Sequence, residues 1–128
     1  MADVNRGDRP LSPHLQIYRP QITSSLSILH RITGVGMALA ALLIVWWFIA
    51  AATGPGYFAF VDGLLTSWLG ILILVCSLWA FWFHFFNGIR HLRWDAGVGL
   101  SLQQSARTGW TAVILSLVLT VISLIIAF

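Results

Sequence analysis

Hydrophobic and polar positions fall along this chain in blocks. Residues 32–61, 63–89 and 108–128 contain no Asp, Glu, Lys or Arg, and the charged residues collect between and before them. Each block can supply the roughly 20 apolar residues that cross a hydrocarbon core. The pattern predicts an all-α membrane protein with a three-helix transmembrane domain over 22–128, its helices at about 22–52, 63–93 and 106–128. Residues 1–21 hold three of the four prolines. A residue before proline is pushed out of the helical region, so this N-terminal segment is expected to be extended.

The helix ends carry local signals. Thr23, Ser24 and Ser25 are candidate N-caps for the first helix. Thr53-Gly54-Pro55-Gly56 is a turn signal, and Asp62 is placed to cap the second span. Gly34, Gly36, Ala38, Ala40 and Ala41 give the first helix a small-residue face that admits a close neighbour. Gly34-Val35-Gly36 does not open a dinucleotide-binding turn, because no strand precedes it. In the third span, Ser116, Thr120 and Ser123 are candidate interhelical hydrogen-bond donors. Trp79 and Trp82 lie too deep for an interfacial belt and are expected to pack.

Composition and charge sharpen this picture. The 128 residues are 59% hydrophobic and 9% charged, with a mean hydropathy of +0.88, whereas soluble domains carry about 25% charged residues. The basic residues are all Arg, at 6, 9, 19 and 31 before the first span and at 90, 93 and 107 between the second and third. Positive charge stays on the cytoplasmic side, so the N-terminus is expected in the cytoplasm and the C-terminus in the periplasm. A pI near 10.0 therefore reports topology, and no nucleic-acid partner is expected. Cys76 is alone, which excludes a disulfide within the chain, iron–sulfur ligation and a paired-cysteine zinc site. With Asp3, Asp8 and no apolar h-region, the start resembles neither a signal peptide nor a transit peptide. The expected location is the bacterial inner membrane, multi-pass, in preference to the mitochondrial inner membrane.

Candidate chemistry gathers at one level. His84 lies within the second span, and an ionisable group there is functional by default. Gly88 is one turn further on, leaving room for a flat ring or a neighbouring helix, and His91 returns to nearly the same angle. On the first helix Ser27 and Arg31, four residues apart, share a face, with His30 about 100° around from Arg31. A hydroxyl and a guanidinium on one face can hold a carbonyl or a carboxylate. Antiparallel neighbours bring these residues together with Arg90, His91 and Asp95. Three roles are open to His84: haem or metal ligand, proton relay, or hydrogen bonding to a helix. A haem held by two imidazoles needs a second histidine, and its propionates favour Arg or His such as His30, Arg31, Arg90 and His91. His84 and His91 are roughly 10 Å apart along one helix and cannot clamp one iron from opposite faces. If haem is bound, the second ligand comes from another chain.

Two stretches resemble a known family. Arg9-Pro10…Ser12-Pro13-His14-Leu15…Ile17-Tyr18, running on through Ser24…Ser27-Ile28…His30-Arg31…Thr33-Gly34, is similar to the N-terminal signature of the cytochrome b membrane-anchor subunits of succinate dehydrogenase. His84…Gly88…Arg90-His91-Leu92…Trp94-Asp95 resembles their second signature. The resemblance implies half of a heterodimeric anchor bundle, paired with a second hydrophobic anchor subunit and carrying an iron–sulfur subunit and a flavoprotein subunit. FAD and the iron–sulfur clusters would reside in those partners, with no succinate-oxidising site on this chain. It further implies one haem b shared with the second anchor, with His84 as axial iron ligand and His30, Arg31, Gly88 and His91 around the haem. Ser27 and Arg31, with Asp95 on weaker grounds, would bind ubiquinone. His14, Tyr18 and Arg19 would face the iron–sulfur subunit. Two other readings are a haem-free structural anchor and a small proton-relay or transport subunit.

Overall fold

The computed structural model describes residues 20–127. The expected extended segment lies outside these except for Pro20 and Gln21, as do His14, Tyr18 and Arg19. Four helices follow one another: α1 (Ile22–Thr53), α2 (Pro55–Leu65), α3 (Trp68–Asp95) and α4 (Leu102–Ala127). The three long ones, α1, α3 and α4, are long and apolar enough to cross a membrane. At 1.5 Å per residue they run roughly 40–50 Å, well beyond a hydrocarbon core of about 30 Å. Their end turns therefore reach the polar interface.

The helix boundaries have local causes, several of which differ from the expectation. The N-cap of α1 is Gln21, extended at ψ 150 and without a side-chain cap. Thr23, Ser24 and Ser25 thus lie inside the first turn, where the Ser24 hydroxyl donates back to the Gln21 carbonyl at 2.9 Å. At the other end Gly54, at φ 150, breaks the chain direction, and Pro55 starts α2 at a position where its missing N–H costs nothing. Asp62 does not cap the second span. It lies within α2 and accepts from the Trp47 indole at 3.0 Å, while Trp46 donates to Tyr57 at 2.7 Å, so α2 is pinned back onto α1. The second span accordingly begins at Trp68 and not near 63. Its cap is Ser67, whose hydroxyl accepts from Gly70 N–H at 3.2 Å.

The end of α3 is a Schellman turn. Gly97 takes the left-handed conformation at φ 74, its N–H donates to Trp94 O at 2.8 Å, and Val98 N–H donates to Arg93 O at 2.9 Å. The chain reverses through Gly99 into α4, where the Ser101 hydroxyl accepts from Gln104 N–H.

Inside the chain the packing is small and polar. Leu26, Thr33 and Ala40 of α1 are buried at seven-residue spacing, whereas Gly36 and Ala38 lie on the outside, so only part of the small-residue face is used within the chain. Buried partners include Ala80, Phe83 and Asn87 of α3, and Ser105, Ala112, Ser116 and Thr120 of α4. Large apolar residues such as Ile32, Leu39, Phe48, Leu72, Phe81 and Ile122 point outward. In lipid, apolar surface gains nothing by turning inward, and small residues let helices approach. A Cβ on Gly109 would come within 2.5 Å of Leu26 Cδ1, so α4 crosses α1 at that glycine. Ser116 and Thr120 donate to carbonyls of their own helix, Val113 O and Ser116 O, and make no interhelical hydrogen bond among the described residues. Ser123 joins helices as an acceptor, from the Trp82 indole at 3.1 Å.

Candidate functional site

The histidines of α1 and α3 meet where the two helices run antiparallel. His30 and His84 stack with ring centroids 3.7 Å apart and planes 16° from parallel, and His91 meets His30 edge-on at 4.8 Å. His84 Nδ1 lies 3.1 Å from the His30 backbone oxygen and 3.3 Å from Thr33 Oγ1. A carbonyl can only accept, so Nδ1–H donates to it and a neutral imidazole keeps its lone pair on Nε2. This is the tautomer in which a histidine ligates a metal through Nε2 while its other nitrogen is held by a carbonyl.

Two observations bear on whether a haem suits these residues. His30 Nδ1 is buried and has no hydrogen-bond partner among the described residues, so its partner is to be sought beyond them. Gly88 opens onto free space, since a Cβ built there meets nothing within 4 Å. Both fit a flat group bearing polar substituents. Among the described residues no cluster of three or more His, Cys, Asp or Glu is arranged to hold a metal ion.

Arg90 serves elsewhere. Sequence reasoning grouped it with the cations near a haem edge, but its guanidinium is 3% exposed and turned towards α4. Nε donates to Thr108 Oγ1 at 3.2 Å, one terminal nitrogen to Asn87 Oδ1 at 3.2 Å, and the other to Ser105 O and Oγ, both at 2.9 Å. Trp94 covers it, with the guanidinium carbon 4.1 Å from the ring centroid. Asn87, fully buried, donates in turn to Leu26 O at 3.4 Å. A chain of polar contacts thus ties α1 to α3 and α4 at the residue just before Ser27. Asn87 was not singled out from the sequence. Its signal was an amide three residues before an Arg in an otherwise apolar span, matched by Ser105 and Thr108 at the same spacing on α4.

This arrangement predicts a stability effect. Replacing Arg90 with Leu leaves Asn87 Oδ1 without its donor, while the Ser105 carbonyl keeps the hydrogen bond from the Thr108 hydroxyl at 3.2 Å; a buried unsatisfied group costs about 1–3 kcal/mol. The expected result is a lower melting temperature of the detergent-solubilised protein, by scanning fluorimetry. Arg90→Lys is expected to rescue only part of it, because an ammonium lacks the planar fork that reaches Thr108, Asn87 and Ser105 together. An unchanged melting temperature in Arg90→Leu would show that the network contributes no stability.

Ser27 is half-buried and Arg31 exposed, on the outer side of the bundle where α1 begins. Among the described residues neither side chain is engaged in a hydrogen bond. Asp95 is the last residue of α3 and exposed. It lies eight residues past Asn87, which is level with Leu26, and so roughly 12 Å further along the axis. The fold therefore groups His30, His84 and His91, places Ser27 and Arg31 one face around, and sets Asp95 apart at the helix end.

Comparison with known proteins gives consistent relatives. Residues 5–123 match the family described as succinate dehydrogenase/fumarate reductase transmembrane subunit. The chain is 49% identical over 128 residues to the succinate dehydrogenase cytochrome b556 subunit of Paracoccus denitrificans, covering 100% of this chain and 98% of that protein. It is 42% identical over 114 residues to the cytochrome b556 subunit of Rickettsia bellii, covering 89% of each. To the cytochrome b560 subunit of succinate dehydrogenase from Marchantia polymorpha it is 36% identical over 107 residues, 80% of this chain and 78% of the other.

Proposed function

The chain belongs to the succinate dehydrogenase/fumarate reductase transmembrane subunit family, and on that premise we propose that it binds one haem b and forms part of a ubiquinone-reduction site. It is a membrane protein of the cytochrome b anchor type, in a family whose members are subunits of an oxidoreductase complex. The observation that carries the haem reading is the His84 geometry. With Nδ1–H committed to the His30 carbonyl, Nε2 is the free donor atom, and Gly88 leaves space one turn away.

Within this reading His84 supplies one axial nitrogen, and the second comes from the other hydrophobic anchor subunit. His30, whose buried Nδ1 has no partner among the described residues, would pair with the haem propionates together with Arg31 and His91. When bound, the haem supplies a one-electron relay between the clusters of the iron–sulfur subunit and the quinone. The flavoprotein subunit carries FAD and the succinate chemistry, and this chain anchors the assembly. Only 6% of the most apolar window of α1 is buried within the chain, so most of its surface is left for lipid and for the second anchor.

Ser27 and Arg31 form the quinone side of the proposal. The hydroxyl donates to a quinone carbonyl, and the guanidinium stabilises the negative charge that grows on the oxygen as the quinone is reduced. Asp95, at the interfacial end of α3, is distant from that carbonyl and fits proton supply from the cytoplasm better than direct quinone binding. This assigns the N-terminus to the cytoplasm, the C-terminus to the periplasm and the complex to the bacterial inner membrane.

The experiment is co-purification in mild detergent followed by an optical spectrum. A dithionite-reduced sample is expected to show a b-type Soret and α band, with three partner subunits present. A complex that contains all of its subunits and no b-type bands would refute the haem reading and favour a haem-free anchor. Proton flux without quinone chemistry would favour the relay.

A further inference from the structure

The hydrogen bond to His84 comes from a site on α1 that is unusual for a helix. A helical carbonyl points along the axis towards residue i+4, and the side chain there normally screens it from a neighbouring helix. For His30 that residue is Gly34. Its missing side chain leaves the His30 oxygen open, and the imidazole of His84 fills the gap: a Cβ on Gly34 would lie 3.1 Å from His84 Cε1 and 3.7 Å from Nδ1. Thr33 completes the cradle. Its buried hydroxyl donates within its own helix, with Leu29 O at 2.9 Å and His30 O at 3.0 Å, and turns a lone pair towards His84 Nδ1 at 3.3 Å. The Nδ1–H is shared between two acceptors, both from α1.

We propose that Gly34 and Thr33 are positioning residues that fix the orientation and tautomer of His84 and, through its Nδ1–H bond, tune the electron-donating strength of Nε2. The inference rests on the haem reading above. A carbonyl that draws on Nδ1–H gives the ring partial imidazolate character, and a more basic Nε2 favours the oxidised form of a metal it ligates. Weakening that bond shifts the balance towards the reduced form. Gly34→Ala forces the imidazole off the carbonyl by a few tenths of an ångström, while Thr33→Val deletes one acceptor at nearly constant volume.

Redox titration of the haem α band in the purified complex tests this. Gly34→Ala is expected to raise the reduced-to-oxidised ratio at fixed potential about tenfold, which for one electron is 59 mV. Thr33→Val is expected to raise it two- to threefold on the order set by loss of the weaker acceptor, and Thr33→Ser to leave it at the wild-type value. A purely structural role would change haem content or assembly without moving the potential in this graded way. If Gly34→Ala loses haem altogether, Thr33→Val against Thr33→Ser decides. Unmoved or lowered potentials in haem-retaining variants overturn the inference and leave the haem reading standing, whereas a wild-type complex without b-type bands overturns both.

Discussion

Replacing His84 with Ala is expected to strip the purified complex of its b-type spectrum. The imidazole has only one nitrogen available to a ligand, because the His30 carbonyl takes the proton of the other at 3.1 Å. Alanine removes that donor atom, and on the two-imidazole reading a haem would be left with one of its two protein ligands. The measurement is haem per complex, by pyridine haemochrome against protein, with subunit stoichiometry checked on the same sample. Retained subunits with absent haem would support the ligand role. Full haem content with unchanged bands would reject it. In that event His30, stacked on His84, and His91, in contact with His30, become the next residues to test. The variant also opens a gap against Gly34, so His84→Gln and His84→Leu, which refill the space without an imidazole, separate lost ligation from lost packing.

The second large effect is expected at Ser27 and Arg31. Neither side chain hydrogen-bonds another described residue or lies in the buried Asn87–Arg90 network, so their loss is expected to spare the packing of the bundle. A charge-assisted hydrogen bond to a developing oxyanion is worth roughly 1.5–3 kcal/mol, or about 10- to 150-fold in rate. Arg31→Ala is expected near the upper end of that range for succinate-driven quinone reduction and Ser27→Ala near the lower end. Succinate oxidation by an artificial dye that accepts electrons before the membrane is expected to stay at the wild-type rate in both. Equal loss of both activities would point to failed assembly, and undiminished quinone reduction would remove these residues from the site. Arg31→Lys adds a finer test: an ammonium keeps the charge but not the planar fork, so partial recovery is expected.

These predictions draw unequally on sequence and structure. Ser27 and Arg31 were legible as a pair because i and i+4 on one helix always share a face. His84 was legible because an imidazole in a charge-free block is costly unless it serves a purpose. Gly34 was visible as part of a small-residue stripe and of the first signature, with nothing to tie it to His84. That it faces His84, while Gly36 and Ala38 face outward, depends on how α1 is rotated against α3. Arg90 was misplaced for the same reason. Its neighbours in sequence suggested a cofactor edge, and its partners on α4 are 15 and 18 residues away. Asp62 shows a different failure, since a short helix closed by Trp47 took the residue that looked like a cap.

By itself the sequence determined the three spans, their order and the level at which the ionisable residues gather, because block hydropathy and the placement of Arg are properties of a linear chain crossing a fixed apolar thickness. The tertiary structure alone decided which side of each helix turns inward. These helices are apolar nearly all the way round, so periodicity does not fix their rotation. Close approach at Gly109 and Gly34 and the reach of Arg90 across to Ser105 set it instead. Those contacts turn His84 onto the His30 carbonyl and leave its Nε2 as the one ring nitrogen free to bind.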